Sequence, residues 1–268
     1  MNRTELNPID LNEADKLVPS MDASAHQIHK ALQAVSQLRQ QHAADPALAQ
    51  ASAAIRRFQA RRFQASYADL LHNPRYKAAA AFFLHELYSD KNYAERDQQF
   101  ARIANTITRI FPQSVVNTAA ALAETHALTE QLDDQMARQW LADRAEHPQS
   151  SECARYIRCW REVGDAAVRQ RQLDVVLQLG QALNRLTRTV GLRTLLKMMR
   201  RPAAAAGLTT LQQFLESGFD AFADMRGADD FLQVIAQRES AWIRSLFDDD
   251  VVSCETRLMH LLASDAAH

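Results

Sequence analysis

Glycine is scarce in this sequence, with six residues dispersed through a chain of 268. A P-loop, a dinucleotide-binding turn and a nucleophile elbow all need closely spaced glycines, and none of these motifs is present. Their absence argues against a conventional nucleotide-dependent enzyme. Alternating runs of β-branched residues bounded by turn residues are also missing, so the sequence predicts no convincing β-strand.

Cysteine and long apolar runs are sparse as well. The chain has three cysteines, an odd number, and none of them is in CxxC spacing: Cys153, Cys159 and Cys254. This pattern favours reduced structural thiols over a zinc or redox site. The longest wholly apolar run, 78–84, is far shorter than the roughly 20 residues of a membrane-spanning helix. The first residues lack the pattern of a secretory signal. We therefore expect a soluble, cytoplasmic protein with no membrane partner.

Helix-forming residues dominate what is present. Alanine, leucine, glutamine and arginine make up much of the chain, and all four favour helices. Asp45-Pro46 and Asn73-Pro74 each place an N-cap residue before a proline at the first helical position. We predict an all-α, multi-helix bundle of about nine or ten helices without significant sheet. The predicted helices cover 22–43, 47–72, 75–88, 93–110, 113–144, 149–169, 171–200, 208–224, 228–247 and 252–263.

The domain organisation follows from composition. Residues 1–20 are polar and contain two prolines, which predicts a flexible lead-in. The remainder, 21–268, is predicted to form a single helical domain. A change from alanine-rich to leucine-rich sequence near His147-Pro148 leaves open a division into subdomains 21–147 and 148–268. The most regular segment is 171–200, where leucines and valines at helical spacing predict one apolar stripe ending at Val190.

The most informative stretch is 75–134, which contains two apolar, alanine-rich segments with one histidine each, His85 and His126. A histidine inside an apolar helix needs a polar partner. On a helix, His126, Glu130 and Asp133 form one stripe, and a neighbouring carboxylate favours the imidazolium and fixes the orientation of the ring.

Glu86 follows two phenylalanines by three and four residues, so its carboxylate also needs a partner. Structural pairing with a neighbouring helix is the favoured interpretation of Glu86, and of His85 beside it.

A cofactor in the 75–134 core is the alternative interpretation. A buried histidine near aromatic residues can serve as an axial ligand to haem, although no CxxCH attachment motif is present. The paired Glu-x-x-His pattern of di-iron proteins is absent too. His126 and His85 are therefore the candidate residues for binding haem, a metal or a small ligand. We predict no catalytic set and no metal-ligand set.

A basic cluster comes from the repeat RRFQA-RRFQA at 56–65, which contains Arg56, Arg57, Arg61 and Arg62. Such a cluster can bind phosphate or nucleic acid. The net charge of −1 gives no overall attraction to polyanions, and the arginines point to several sides of one helix. A solvated or salt-bridged surface is therefore favoured over nucleic-acid binding.

Two segments resemble a family of uncharacterised, all-helical proteobacterial proteins. They are FFLHELYSDKNYAERD at 82–97 and HALTEQLD at 126–133, and the resemblance covers about 65–145 well and the C-terminal half loosely. It implies a shared helical fold. No activity is assigned to that family, so the resemblance implies no functional residues.

The leading hypothesis is a non-enzymatic protein that acts through an unidentified protein partner or as a regulatory module. The alternative is a helical-bundle protein that binds haem, a metal or a small ligand in the 75–134 core. Nucleic-acid binding through Arg56 to Arg62 is the third. The sequence leaves homo-oligomerisation open.

Overall fold

A computed structural model describes residues 21–86, 91 and 93–265, and all the regular secondary structure within those ranges is helical. This confirms the all-α prediction. The predicted lead-in, 1–20, lies outside the described residues. The thirteen helices found in the described ranges are α1 (Met21–Ala44), α2 (Pro46–Ser66), α3 (Ala68–His72), α4 (Lys77–Glu86), α5 (Ala94–Ile110), α6 (Gln113–Glu146), α7 (Glu152–Glu162), α8 (Ala166–Leu186), α9 (Leu192–Met198), α10 (Arg200–Ala205), α11 (Thr209–Asp224), α12 (Asp229–Asp248) and α13 (Val251–Asp265).

The predicted number of helices, nine or ten, was too low because three short helices were missed. The predicted helix 47–72 is divided at Tyr67 into α2 and α3. The predicted helix 171–200 ends instead at Leu186, and Gly191 with φ of 82° begins α9. Val190 is fully exposed in this connection, so it does not belong to the apolar stripe predicted for it.

Side-chain caps explain where two of the helices begin. Asp45 accepts hydrogen bonds from the backbone N–H groups of Ala47 and Leu48, ahead of Pro46 at the start of α2. Ser151 likewise accepts from the N–H of Ala154 at the start of α7. Both caps satisfy donors that the first turn of a helix leaves without partners.

Two hydrophobic cores lie along α6, a helix of 34 residues that is about 50 Å long at 1.5 Å per residue. Its first half, with Val116 and Ala120, packs with α1, α5 and the start of α11. Its second half, with Met136 and Trp140, packs with α2, α7, α8, α12 and α13. Glu130 and Asp133 are buried between these two halves. A polar layer therefore separates the two cores.

The larger core contains residues from both sides of the predicted boundary at 147/148. Close approach of α8 and α12 contributes to it, since a Cβ atom at Gly180 would lie 2.5 Å from a methyl carbon of Leu232. None of the helices in the described ranges is long and apolar enough to cross a membrane.

Candidate functional site

A partly open cavity of about 180 Å³ lies at the polar layer. Its apolar lining comes from both cores, for example Leu32 and Phe100 from one and Leu173 and Ile243 from the other. The charged groups of the polar layer also face it. Burying so many charges is costly unless each has a partner. The pairing of each charge therefore shows which groups have a purely structural role.

The α2 wall of the cavity contains two arginines of the RRFQA repeat. Arg56 pairs with Glu130 of α6. Arg62 is buried and binds Glu239 of α12 with both terminal nitrogens, at 3.1 and 2.8 Å, while Tyr67 donates a hydrogen bond to the same carboxylate at 2.7 Å. Burial would lower the pKa of Arg62, but the charge of Glu239 and its hydrogen bonds raise it above the ordinary value.

The other two arginines of the repeat lie on the outside of the protein. Arg57 and Arg61 are exposed, and Arg61 pairs with Glu152. The structure thus divides the predicted basic cluster, with Arg57 and Arg61 on the surface and Arg56 and Arg62 facing the interior.

His126 meets a carboxylate, although not the one that the sequence suggested. Its Nε2 lies 2.8 Å from Asp97 of α5, whereas Glu130 pairs with an arginine. Asp97 also accepts hydrogen bonds from Arg39 at 2.6 Å and Arg96 at 3.2 Å. Burial opposes ionisation of Asp97, but the hydrogen bond and charge of His126, with the two arginines, lower its pKa to about 2. His126 is therefore held in place by a hydrogen bond with Asp97.

His85 does not share this cavity. It is exposed and lies in a separate open groove with Arg57, Arg61 and Glu152. Glu86, its neighbour, does line the cavity, and its carboxylate accepts a hydrogen bond from Lys91 at 3.1 Å. The two histidines therefore cannot act on one ligand in this arrangement.

Asp133 is the carboxylate with the weakest pairing. Gln59 donates a hydrogen bond to its Oδ1 at 3.0 Å, but its Oδ2 lies 4.0 Å from Nε of Arg56, beyond hydrogen-bonding distance. Burial raises the pKa of Asp133. Tyr156 is buried in the same wall, and burial raises the pKa of its phenol to about 12, so this hydroxyl is neutral at physiological pH.

The corner between α7 and α8 positions the remaining arginine. We predicted a helix over 149–169, but α7 ends at Glu162, and Gly164 adopts φ of 79°. Asp165 then caps α8 by accepting from the N–H of Val168 at 2.8 Å. This reversal of the chain lays the guanidinium of Arg169 over the ring of Trp160, with 4.0 Å between its carbon and the ring centroid. Such a geometry gives a favourable cation–π contact.

Arg169 is 4% exposed but forms no ion pair with the residues that the structure describes. Its one hydrogen bond is to Gln172 at 3.4 Å. Its Nε and Nη2 are buried without an acceptor among those residues, as are Trp160 Nε1, Arg56 Nε and Arg62 Nε. All of these residues line the cavity. Buried donors without acceptors are rare and call for an explanation. Five of them belong to residues that line one cavity, which makes this cavity the candidate binding site.

The predicted cofactors find less support here. No group of three His, Cys, Asp or Glu side chains within the described ranges is placed to hold a metal ion. A cavity of about 180 Å³ is also smaller than the roughly 300–1,000 Å³ of sites for drug-sized ligands, and haem is larger than most of those ligands.

The family of the chain follows from its sequence. Residues 38–252, which include both segments of the predicted resemblance, match a domain of unknown function, DUF8198. The chain belongs to this family. The match confirms the resemblance to an uncharacterised family. No curated protein and no solved structure matches the chain significantly. The site of this DUF8198 domain must therefore be interpreted from its own geometry.

Sequence reasoning missed Asp97, Tyr156, Trp160 and Arg169. One signal was present: Gly164-Asp165 is a helix stop followed by an N-cap residue, and it marks the corner that precedes Arg169. The pairing of Asp97 with His126 had no comparable signal, because the two residues come from different helices.

Proposed function

We propose that this DUF8198 domain binds a small molecule bearing a carboxylate, inside the cavity and through Arg169. The observation that carries the proposal is that Nε and Nη2 of Arg169 both lack an acceptor among the described residues while lining the cavity. These two nitrogens form one edge of the guanidinium plane. Their parallel N–H bonds match the two oxygens of a carboxylate, which gives a bidentate, charge-assisted interaction.

The surroundings of Arg169 support this proposal. The other arginines that line the cavity are each paired with a carboxylate of the protein, in Arg56–Glu130, Arg62–Glu239 and Arg96–Asp97. Arg169 has none, and burial lowers its pKa. A carboxylate from outside would supply the missing counter-charge. The ring of Trp160 beneath the guanidinium would hold it in place for the incoming group.

A ligand of this kind belongs to the small-ligand class that is the alternative hypothesis from the sequence, but it would bind residues outside the predicted set. His126 and Glu130 would support the walls of the cavity through their contacts with Asp97 and Arg56. A cytoplasmic location fits the three buried cysteines, which are all unpaired.

The predicted role in protein interaction would need a different surface. Val190 is fully exposed and Met198 is 69% exposed near α9, in a peripheral part of the fold. An interaction role and oligomerisation therefore stay predictions, compatible with ligand binding but not required by it.

Titration calorimetry with benzoate tests the proposed function. We expect one site per chain in the wild-type protein and at least 30-fold weaker binding in Arg169→Met, because this change removes the charge and both N–H groups but retains much of the side-chain volume. Arg171→Met is the matched control, since Arg171 is exposed two residues further along the same helix. It should bind like the wild type.

Two results would contradict the proposal. The first is equal binding of benzoate by the wild type and Arg169→Met. The second is the absence of binding to benzoate and acetate at millimolar concentration, which would mean that the cavity holds only water. Binding of inorganic phosphate but not of either carboxylate would reject a carboxylate as the ligand group.

A further inference from the structure

We infer that the ligand is a small aromatic hydroxycarboxylate, whose hydroxyl is bound by Asp133 and Arg56 while its carboxylate is bound by Arg169. This inference rests on the proposed function and adds the chemistry of the rest of the ligand. It is carried by a second group of buried polar atoms, on residues of other helices that line the same cavity.

Arg56 and Asp133 are too far apart for a direct hydrogen bond. Nε of Arg56 is buried without an acceptor in the described part of the chain, and it lies 4.0 Å from Oδ2 of Asp133. A single oxygen at about 2.7–2.9 Å from both atoms fits that separation. Such an oxygen must accept a hydrogen bond from the arginine and donate one to the carboxylate. A hydroxyl does both, whereas a carbonyl or a second carboxylate can only accept.

The charges around the cavity restrict the ligand further. Arg56, Arg62 and Arg96 each pair closely with a carboxylate. Arg169 has no ion pair among the described residues, and Asp133 is paired loosely, with 4.0 Å between its Oδ2 and Nε of Arg56. A ligand with one carboxylate matches Arg169. A second negative group would face Asp133 and be repelled, so the other end of the ligand must be neutral. A hydroxyl satisfies this condition as well.

The volume and the aromatic lining of the cavity favour a small aromatic ligand. A cavity of about 180 Å³ is slightly larger than an engineered cavity of about 150 Å³ that holds benzene. Phe100, Tyr156, Trp160 and Phe214 contribute aromatic surface to its lining. Aromatic rings pack favourably on such surfaces in offset or edge-on geometry. One ring with a carboxylate and a hydroxyl fits this space.

The test compares benzoate with 2-, 3- and 4-hydroxybenzoate by titration calorimetry, on the wild type and on Asp133→Asn. We expect one isomer to bind the wild type at least tenfold more tightly than benzoate, since a hydrogen bond to a charged group is worth about 1.5–3 kcal/mol. Because Gln59 donates to Oδ1 of residue 133, the amide of Asp133→Asn places its NH₂ at the position of Oδ2. That replaces an acceptor with a donor. The tenfold preference should shrink to within about twofold, while benzoate itself should bind at least as tightly as it does to the wild type, because a negative charge near its carboxylate is removed.

The other outcomes separate this inference from the proposed function. If all three isomers bind within twofold of benzoate, the hydroxyl site is rejected, but benzoate binding that depends on Arg169 still stands. If the preference persists undiminished in Asp133→Asn, the assignment to Asp133 is rejected. If neither benzoate nor any hydroxybenzoate binds, the proposed function fails and this inference fails with it.

Discussion

Within the described part of the chain, two buried arginines lie over tryptophan rings, and they differ in whether a carboxylate pairs with them. Arg155 lies over Trp140 with 5.2 Å between the guanidinium carbon and the ring centroid. It binds Asp143 at 3.1 Å and a backbone carbonyl at 3.1 Å. Arg169 lies over Trp160 at 4.0 Å without a carboxylate partner among the described residues. A buried arginine over a tryptophan thus has a carboxylate partner at Arg155 but none at Arg169 among the described residues.

The difference separates a structural group from a binding group. Asp143 also accepts two hydrogen bonds from Arg158, at 2.6 and 2.8 Å. These hydrogen bonds lower the pKa of Asp143 and outweigh burial, which would raise it. Every charge in that cluster has a counterpart close by. At Arg169, a residue that lines the cavity, the two donors on one guanidinium edge are buried without an acceptor among the described residues, so an entering acceptor would offset a large part of the cost of burying the charge.

The largest effect is expected on the paired side of this comparison. Asp143→Ala leaves Arg155 and Arg158 without their carboxylate, and we expect the free energy of unfolding to fall by about 3 kcal/mol. Urea denaturation at neutral pH measures this. Asp174→Ala is the control, because Asp174 is exposed on α8 and should cost less than about 0.5 kcal/mol. A loss below 1 kcal/mol for Asp143→Ala would contradict the structural role that we assign to the ion pairs of Arg155 and Arg158.

A second paired cluster, around Asp97, predicts a pH dependence. The pKa of Asp97 is about 2 in the folded protein, below the roughly 3.9 of an unfolded aspartate. Its ion pairs therefore stabilise the fold above the unfolded pKa, and the stabilisation is lost as the pH falls through the folded pKa. We expect the stability difference between the wild type and Asp97→Asn to shrink by about 2 kcal/mol between pH 5 and pH 2. A difference that stays constant over this range would show that the ionised carboxylate of Asp97 does not stabilise the fold.

A smaller effect is expected at the corner that positions Arg169. Gly164 and Gly191 have φ of 79° and 82°, and neither has a close neighbour that would clash with a Cβ atom. Alanine at either position should therefore cost about 1–2 kcal/mol through backbone strain alone. Only Gly164→Ala should also weaken benzoate binding, since it alters the turn before Arg169. Equal benzoate affinity in both variants would mean that this corner does not set the site.

The fold could be predicted from the sequence much better than the site. The boundaries of α1, α5, α6, α11, α12 and α13 were predicted to within two residues, because prolines and amphipathic spacing are local signals. The corner at Gly164 was missed because the segments on both sides of it favour helix. The positive φ of Gly164 nevertheless separates them into two helices. His126 was identified as a residue needing a carboxylate. Its partner, Asp97, comes from another helix, and no local pattern contains that information.

Arg169 could not have been identified from the sequence for a related reason. Arginine is abundant throughout the chain. Amphipathic spacing puts Arg169 seven residues before Val176, on the apolar stripe of α8, and Arg171 on another face. The absence of a counter-charge at Arg169 depends on how α6, α7 and α8 pack together, and no local pattern contains it. The same holds for Arg56 and Arg57, which are adjacent in the repeat and about 100° apart around α2: Arg56 lines the cavity, whereas Arg57 is exposed.

The most direct test of the central claim is urea unfolding of the wild type, Arg155→Met and Arg169→Met, each with and without benzoate. Without benzoate, we predict that Arg155→Met loses about 2 kcal/mol, because Asp143 loses a partner, whereas Arg169→Met is as stable as the wild type or more so, because no carboxylate is left unpaired. Benzoate at about 100 times its dissociation constant should add about 2.7 kcal/mol to the wild type and to Arg155→Met, and nothing to Arg169→Met. Destabilisation of Arg169→Met as large as that of Arg155→Met, with no effect of benzoate on any of the three proteins, would contradict the account.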